Sequence, residues 1–222
     1  MKHIHKIVFG IFTLILSSQL LAQKKLTEAT ISYDIVINTN NSKPQAADLL
    51  DGATSVIYLK GNSSRSEMIS SLGTQATVID GKTGNVTILK NYGEQKYMIK
   101  LTPDNWKESN KKYEGITFTY FNEFDSIAGY KCQKAIGRLP FPDSTAFTVY
   151  FTRELAPVNK DFEYINKNLP GLAMKYEAIQ GNKIVTYTVS SINFNPVLQS
   201  KFDLPASGYR VMTYEESKRG GN

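Results

Sequence analysis

The chain has 222 residues and a formal net charge of +6, from 26 basic and 20 acidic side chains. It contains two histidines and one cysteine, and a single cysteine cannot form an internal disulfide. The basic residues are scattered, and a nucleic-acid partner is not expected, because no basic stripe carries interleaved aromatic residues. The densest basic group, Lys107, Lys111 and Lys112, is either a solvated face or a contact for anionic lipid head groups.

The first 22 residues are typical of a cleavable secretion signal. Lys2 and Lys6 accompany an apolar run at residues 7–16, and Ala22 stands before the predicted cut. The run is too short to be interpreted as a membrane-spanning helix. No cysteine lies near the cut, so a lipid anchor is not expected. The sequence therefore predicts a protein that is exported to the periplasm or secreted.

Export would remove both histidines, His3 and His5, with the signal peptide. Histidine-dependent nucleophiles, histidine acid–base chemistry and the common zinc sites are then excluded from the mature chain. We predict that the protein is not an enzyme and uses no metal and no cofactor. A histidine-independent hydrolase that uses paired carboxylates, such as Glu123 and Asp125, is the less favoured alternative.

Alternation of apolar and polar residues with a period of two runs through most of the chain and predicts half-buried strands. The clearest runs are residues 31–37, 116–120, 147–151 and 185–189. One face of each run is β-branched or aromatic, which suits a pleated sheet. The segment Gln180–Lys183 predicts a tight hairpin, because Gly-Asn favours a two-residue turn.

Helical signals are few and short. The Thr-Pro-Asp sequence at 102–104 predicts a helix that begins there and runs to about Lys112. Residues 159–166 predict one or two further turns, and residues 44–50 form a third, weaker candidate.

These elements predict a mainly β fold with a single antiparallel sheet of about ten strands. A sheet of this size curls into a half-barrel or open barrel, and the few short helices would cover its concave face. The predicted organisation is a signal peptide over 1–22, one β-rich domain over 23–214 and a disordered polar tail over 215–222.

The segment Asn168–Glu177, NLPGLAMKYE, resembles the signature of the GLPGLI family of secreted proteins of Gram-negative bacteria, whose activity is unassigned. Ile127–Ala135 is similar to an upstream element of that family, and Phe147–Leu155 is similar to its next strand. Phe202–Tyr209 resembles the ending of lipoprotein-carrier-like (LolA/LolB-like) domains. The resemblance implies a half-barrel closed by helices and supplies no catalytic residues.

Two features of this sequence depart from the family signature. Asn168 stands where the signature has its first glycine, and Ala173-Met174 stands where it has an aliphatic ending. Pro170 and Gly171 are retained and make a stiff corner, because proline fixes one backbone angle and glycine permits the reversed one.

The apolar ridge that follows the corner is either ordinary core or the mouth of a hydrophobic cavity. In the cavity interpretation, ligand contacts come from the corner, its strand and nearby aromatic residues. The candidate ligand-binding residues are Leu169, Leu172, Met174, Tyr176, Trp106, Phe118 and Tyr120.

The leading hypothesis is a non-catalytic periplasmic binding or carrier module for an acyl or lipid-like ligand. The alternative is a structural or envelope-interaction protein with a filled core and an outer-membrane or other envelope protein as partner; a monomer is expected in either case. Cys132 is predicted to be buried and free, with an intermolecular disulfide as the alternative. Ser126 and Ser144 lie in Asp-Ser sequences that resemble glycosylation acceptors.

Overall fold

The computed structural model describes residues 23–39, 52–180 and 183–219. The predicted signal peptide, the predicted helix at 44–50 and the predicted Gly181-Asn182 turn lie outside the described residues. Within these ranges, no helix is long and apolar enough to span a membrane.

The described chain is built mainly from strands, as the alternation predicts. The strands are β1 (Lys24–Leu26), β2 (Glu28–Thr39), β3 (Thr54–Lys60), β4 (Ser63–Ser70), β5 (Gly73–Ile79), β6 (Val86–Tyr92), β7 (Gln95–Leu101), β8 (Thr117–Ile127), β9 (Tyr130–Arg138), β10 (Ala146–Thr152), β11 (Leu155–Pro157), β12 (Leu172–Gln180), β13 (Lys183–Asn193) and β14 (Arg210–Thr213). The helices are α1 (Pro103–Ser109) and α2 (Tyr214–Arg219), and short 3₁₀ turns lie at Lys111–Tyr113, Tyr164–Asn166 and Gln199–Phe202.

Twelve of these strands form one sheet, in the order β14, β7, β6, β5, β4, β3, β2, β13, β12, β10, β9, β8. The sheet is curled and its two edges, β14 and β8, are not paired with each other, so it does not close into a barrel. Hairpin neighbours pair in antiparallel fashion, and β12 pairs with β13 through Gln180 and Lys183, as the predicted hairpin requires. The predicted mainly β fold with a curled, open sheet is confirmed.

Two parallel pairings were not predicted. β14 lies parallel to β7, with Arg210 opposite Tyr97, and the separate short strands β1 and β11 pair with Lys24 opposite Leu155. A parallel neighbour needs a long connection. Residues 194–209 provide it for β14, and we call this segment the strap.

The strap lies on the outer face of the sheet. Tyr209 packs against Ala76, Leu89 and Met98, which are opposite one another on β5, β6 and β7. Farther along the strap, Glu28 accepts a hydrogen bond from the Val197 backbone N–H at 2.7 Å. The strap thus covers outer-face side chains that would otherwise be exposed to water.

The inner face carries the larger part of the core, and the short helices cover only the part of it that β5, β6, β7 and β14 form. Trp106 of α1 and Tyr214 of α2 pack with Phe162 against a cluster of sheet residues. The sheet residues of this cluster are Ile79, Val86, Ile88, Ile99, Leu101 and Met212.

Helix α1 begins where the sequence predicts. The Thr102 side chain accepts a hydrogen bond from the Asn105 backbone N–H at 3.2 Å, and the Asn105 side chain accepts one from the Thr102 N–H. The helix ends at Ser109 rather than near Lys112, and the following residues form a 3₁₀ turn. Asn110 caps the end of the helix: its backbone N–H donates to the Trp106 carbonyl at 3.2 Å, and its side-chain amide donates to the same carbonyl at 2.9 Å.

The polar segment after Tyr214, for which the composition favours disorder, is helical up to Arg219 in the structure. A reciprocal cap explains this helix. Glu216 accepts a hydrogen bond from the Thr213 N–H at 2.7 Å, and the Thr213 hydroxyl accepts one from the Glu216 N–H at 3.2 Å. Tyr214 anchors the helix on the inner face.

Candidate functional site

A groove of about 400 Å³ lies on the inner face of the sheet. Side chains from six strands and from the segment before the Leu-Pro-Gly corner line it. The lining residues are Ile35, Ile37, Ser55, Ile57, Ser66, Glu67, Met68, Gln75, Thr77, Phe162, Tyr176, Val185 and Tyr187. Thr77 on β5 and Tyr176 on β12 are five strands apart, which would be about 24 Å in a flat sheet. They reach one groove because the sheet is strongly curled.

The strand register explains why the groove is apolar at its centre. Ile35 on β2 lies opposite Tyr187 on β13, and Tyr187 lies opposite Tyr176 on β12. On the other side, Ile57 of β3 lies opposite Ser66 of β4. Residues that are directly opposite point to the same face of a sheet, so the apolar alternation of several strands converges on this groove.

Stacked aromatic rings form one wall of the groove. The rings of Tyr176 and Tyr187 are parallel, with centroids 4.7 Å apart, and the ring of Tyr33 meets Tyr176 edge-on at 6.1 Å. The Tyr33 hydroxyl donates to the Ala173 carbonyl at 3.0 Å. Burial raises the pKa of Tyr33 and of Tyr176 well above the usual value. This wall is therefore uncharged at neutral pH.

Glu67 also contributes to the groove lining, but it lies opposite Ala76 of the outer face, so its carboxylate points away from the groove. On the outer side that carboxylate is paired with the Arg65 guanidinium at 3.1 Å. The other lining residues have aliphatic, aromatic, thioether, hydroxyl and amide side chains. Such a surface suits an apolar ligand with few polar atoms.

Residues 158–171, here called the plug, cover one end of the groove. Phe162 projects from the plug into the groove lining. The Lys160 ammonium donates hydrogen bonds to the Leu169 carbonyl and, at 2.9 Å, to the Gly171 carbonyl. The plug is thus tied to the corner that ends it.

The corner needs glycine at position 171 because the backbone of a neighbouring strand passes very close. The reversed backbone angle expected from the sequence is wrong, since Gly171 does not have a positive φ. A Cβ atom placed on Gly171 would lie 1.8 Å from the Thr152 carbonyl oxygen. On its outer side, the Pro170 carbonyl accepts a hydrogen bond from the Gln23 side chain at 2.7 Å. The Leu-Pro-Gly sequence therefore lets the end of the plug pack closely against β10.

A buried polar cluster lies inside the plug. Glu163 is 5% exposed and Asn166 is fully buried. Burial raises the pKa of the Glu163 carboxyl to about 8, and the Lys160 ammonium, the Asn166 side chain and the Ala173 N–H limit the rise. These groups are near enough to affect the pKa, yet among the described residues neither the Glu163 oxygens nor the Asn166 amide atoms have a hydrogen bond of normal geometry.

The structure separates the seven residues predicted to contact a ligand. Tyr176 lines the groove. Leu169, Leu172 and Met174 are buried in core clusters, at 3%, 0% and 0% exposure, and line none of the described cavities. The corner and the start of β12 thus match the filled-core interpretation.

The other three predicted residues lie away from the groove. Trp106 packs edge-on against Tyr164 and lines a separate depression of about 310 Å³. Phe118 packs against Phe147 with ring centroids 6.0 Å apart, while Tyr120 is 42% exposed on β8. A ligand-binding role for these three residues stays a prediction.

Groove residues that the ligand prediction missed were nevertheless visible as strand alternation. Ile35, Ile37, Val185 and Tyr187 belong to the apolar faces of two predicted strands. Their signal was indistinguishable from that of core residues, because the pattern does not show which part of an apolar face remains uncovered. Nothing in the sequence indicated that Glu163 is buried, since glutamate is almost always exposed in proteins.

The remaining sequence candidates are placed as follows. Cys132 is fully buried and free, as predicted, and burial raises its pKa to about 11. Ser126 is exposed and Ser144 is half-buried. Glu123 is paired with Lys134 at 2.7 Å. The described residues contain no group of histidine, cysteine, aspartate or glutamate side chains that could hold a metal ion.

Two other depressions are larger than the groove, at about 660 Å³ each. One lies under the strap on the outer face, where Asp80, Lys82 and Lys100 contribute to its lining. The other lies on the inner face beside β14, between Lys90 and Arg210. The groove is the better candidate for an apolar ligand, because three charged residues, Asp80, Lys82 and Lys100, interrupt the apolar lining of the strap depression.

No protein-family model and no curated protein matches the sequence. Among solved structures, the chain is similar to one of PNGF-II, with 13% identity and a TM-score of 0.46 over 87% of this chain and 32% of that chain. It is also similar to one of MucB, with 12% identity and a TM-score of 0.44 over 82% of this chain and 58% of that chain. A third is a β-barrel-like protein of a domain of unknown function, DUF1849, from Brucella abortus, with 7% identity and a TM-score of 0.36 over 77% of this chain and 98% of that chain. The chain spans about a third of PNGF-II and somewhat more than half of MucB. The GLPGLI resemblance stays a prediction.

Proposed function

We propose that the protein is a non-catalytic periplasmic binding or carrier module that holds an acyl or lipid-like ligand in the inner groove. The observation that carries the proposal is the groove itself, whose centre is aliphatic and aromatic and whose one carboxylate residue, Glu67, points to the outer face. A packed core would fill this space, since protein interiors leave few voids larger than a water molecule.

The distribution of packing supports the same function. Leu172, Met174 and Tyr33 are fully buried beside the groove, so the fold has a core that does not depend on a ligand. The groove can therefore remain open without loss of the fold, which a carrier that alternates between loaded and empty states requires.

A hydrolase with two carboxylates is less well supported. Glu163 is the one buried carboxyl among the described residues, and it lies inside the plug without a second buried carboxylate. Glu123, one member of the pair considered from the sequence, is 56% exposed and bound to Lys134. Paired-carboxylate chemistry needs both groups in one cleft.

The second candidate function, an envelope-interaction protein, is favoured by the edge strand β8. Phe121 and Phe124 are exposed on it, at 37% and 48%. Lys131 lies 4.2 Å from the ring centroid of Phe124. An unpaired edge strand with exposed aromatic residues could accept a strand from a partner protein.

A matched pair of variants on β3 tests the carrier proposal. Ser55 lines the groove, whereas its neighbour Thr54 is exposed on the opposite face. Ser55→Phe should fill the groove and weaken binding of a dansyl-labelled fatty acid by about tenfold or more, equivalent to about 1.4 kcal/mol. Thr54→Phe should bind like the wild type, and both variants should keep the strand signal in circular dichroism.

Two outcomes would overturn the carrier proposal. One is a wild-type protein that does not bind the labelled fatty acid. The other is a folded Ser55→Phe variant that binds it as tightly as the wild type does, because the label would then occupy another site.

A further inference from the structure

The inner face continues from the groove to a second cavity of about 660 Å³ at the β14 edge. Tyr97, Lys90 and Arg210 lie along its sheet side, and Glu216 and Arg219 of α2 lie across from them. We call this cavity the mouth. Its character differs from that of the groove, because three of its lining residues are cationic and one is anionic.

One unbroken row of directly opposite residues connects the groove with the mouth. Ser55 and Met68 of the groove lie opposite each other, and Met68 lies opposite Gln75. Gln75 lies opposite Lys90 at the start of the mouth. Because opposite residues share a face, a chain-like ligand can follow this row over neighbouring strands without crossing the sheet.

Beyond Lys90 the row continues across the mouth. Lys90 lies opposite Tyr97, and Tyr97 lies opposite Arg210 on β14. Neighbouring strands are about 4.8 Å apart, so the two cationic residues are separated by about 10 Å along the row. A ligand that ends between them has a cation on either side and an aromatic ring beneath it.

The cations of the mouth are available to a ligand. Among the described residues, the ion pairs involve neither Lys90 nor Arg210 nor Arg219. Hydrogen bonds with Thr213 and, to a smaller extent, the charges of Arg210 and Arg219 lower the pKa of Glu216. Its single negative charge offsets one of the three cations. The mouth therefore keeps an excess of positive charge.

We propose that the mouth binds the anionic head group, carboxylate or phosphate, of an amphiphile whose apolar chain lies in the groove. Lys90 and Arg210 would bind the head group, since guanidinium and ammonium groups form strong charge-assisted hydrogen bonds with such oxyanions. This inference rests on the proposed carrier function and adds the class of ligand, an anionic rather than a neutral lipid.

The double variant Lys90→Gln with Arg210→Gln tests the head-group site. The wild type should bind a dansyl-labelled fatty acid about tenfold or more tightly than the methyl ester of the same molecule, because only the acid can accept charge-assisted hydrogen bonds from the two cations. In the double variant the affinity for the acid should fall to that for the ester, and the affinity for the ester should not change. Lys96→Gln is the matched control, because Lys96 is exposed on the same strand as Tyr97 and points to the other face.

The possible results separate the two proposals. Equal affinity of the wild type for acid and ester would overturn the head-group site and leave the carrier function intact. No binding of either probe would overturn the carrier function as well. If inorganic phosphate at constant ionic strength binds to the wild type and neither labelled probe does, the mouth is a site for free anions and the amphiphile proposal fails.

Discussion

Replacing Glu163 with glutamine should change how the stability of the protein depends on pH. The Glu163 carboxyl has a pKa of about 8 in the folded protein, raised by burial from an ordinary value of 4.5. The folded protein therefore keeps a proton that the unfolded chain loses above about pH 4.5. The unfolded state binds fewer protons in this window, so the free energy of unfolding must fall as the pH rises towards 8.

The expected effect is large because each pH unit in this window is worth about 1.4 kcal/mol. Over the window from 4.5 to about 8, the upper bound is about 5 kcal/mol. The pKa of about 8 already includes the opposing effect of Lys160, whose ammonium stabilises the ionised carboxylate. Burial lowers the pKa of Lys160 itself from 10.5, and that group contributes its own dependence at higher pH.

Urea unfolding at a series of pH values measures the effect. With a slope of about 1–3 kcal/mol per molar urea, the wild-type midpoint should fall by about 1 M or more between pH 5 and pH 8. Glu163→Gln, which resembles the protonated carboxyl, should remove most of that decline. Glu123→Gln is the control for a surface carboxylate and should leave the slope unchanged, because Glu123 is 56% exposed.

A wild-type stability that is flat or rises between pH 5 and pH 8 would refute the reasoning. So would a Glu163→Gln variant with the wild-type slope, since the proton uptake would then come from another group. The absolute stability of the variant does not decide the matter, because the glutamine amide brings an additional donor into a place where the carboxyl oxygens have no hydrogen bond of normal geometry.

Three further predictions concern the core. The Cys132 thiol should resist Ellman's reagent until denaturant is added, and Cys132→Ala should cost about 1 kcal/mol; rapid labelling of the native protein would contradict this. Met174→Lys should abolish the strand signal in circular dichroism, because an unpaired charge at a fully buried position costs several kcal/mol; a folded variant would show that water reaches this position. Gly171→Ala should destabilise the protein by about 1–3 kcal/mol, because the new Cβ would meet the Thr152 carbonyl oxygen at 1.8 Å; an unchanged urea midpoint would contradict it.

Most strands and the start of helix α1 could be predicted from local sequence patterns. The alternating run at 31–37 lies within β2, the run at 147–151 lies within β10, and the run at 185–189 lies within β13. Strand alternation and helix capping depend on residues close in sequence, so they could be recognised directly. The parallel pairing of β14 with β7 could not, because the strap that makes it possible has no periodic pattern.

The site was predicted less well, for a reason that lies in the packing. An apolar strand face looks the same in sequence whether it borders a groove or a filled core. The register between β10 and β12 shifts between Tyr150 and Phe151. At the start of β12, beside this shift, Leu172, Ala173 and Met174 are all fully buried. Alternation predicts that only every second residue of a strand is buried against the core, so the sequence could not show that this stretch is enclosed on both faces.

The groove itself depends on long-range geometry. Ile35, Ile57 and Tyr187 come from three strands, and the curl of the whole sheet decides that they face a common space. The cations of the mouth are equally scattered, with Lys90 on β6 and Arg210 on β14. Only the register of the assembled sheet puts them in one row with the groove.

Native mass spectrometry of the protein, purified without detergent, tests the central claim most directly. The carrier account predicts a population with the mass of the chain plus an anionic lipid, which dissociates on collisional activation. The Ser55→Phe variant should show the chain alone, because its groove is filled. A wild-type spectrum that contains only the bare chain, both as purified and after incubation with fatty acid, would contradict the account and favour a filled interaction module.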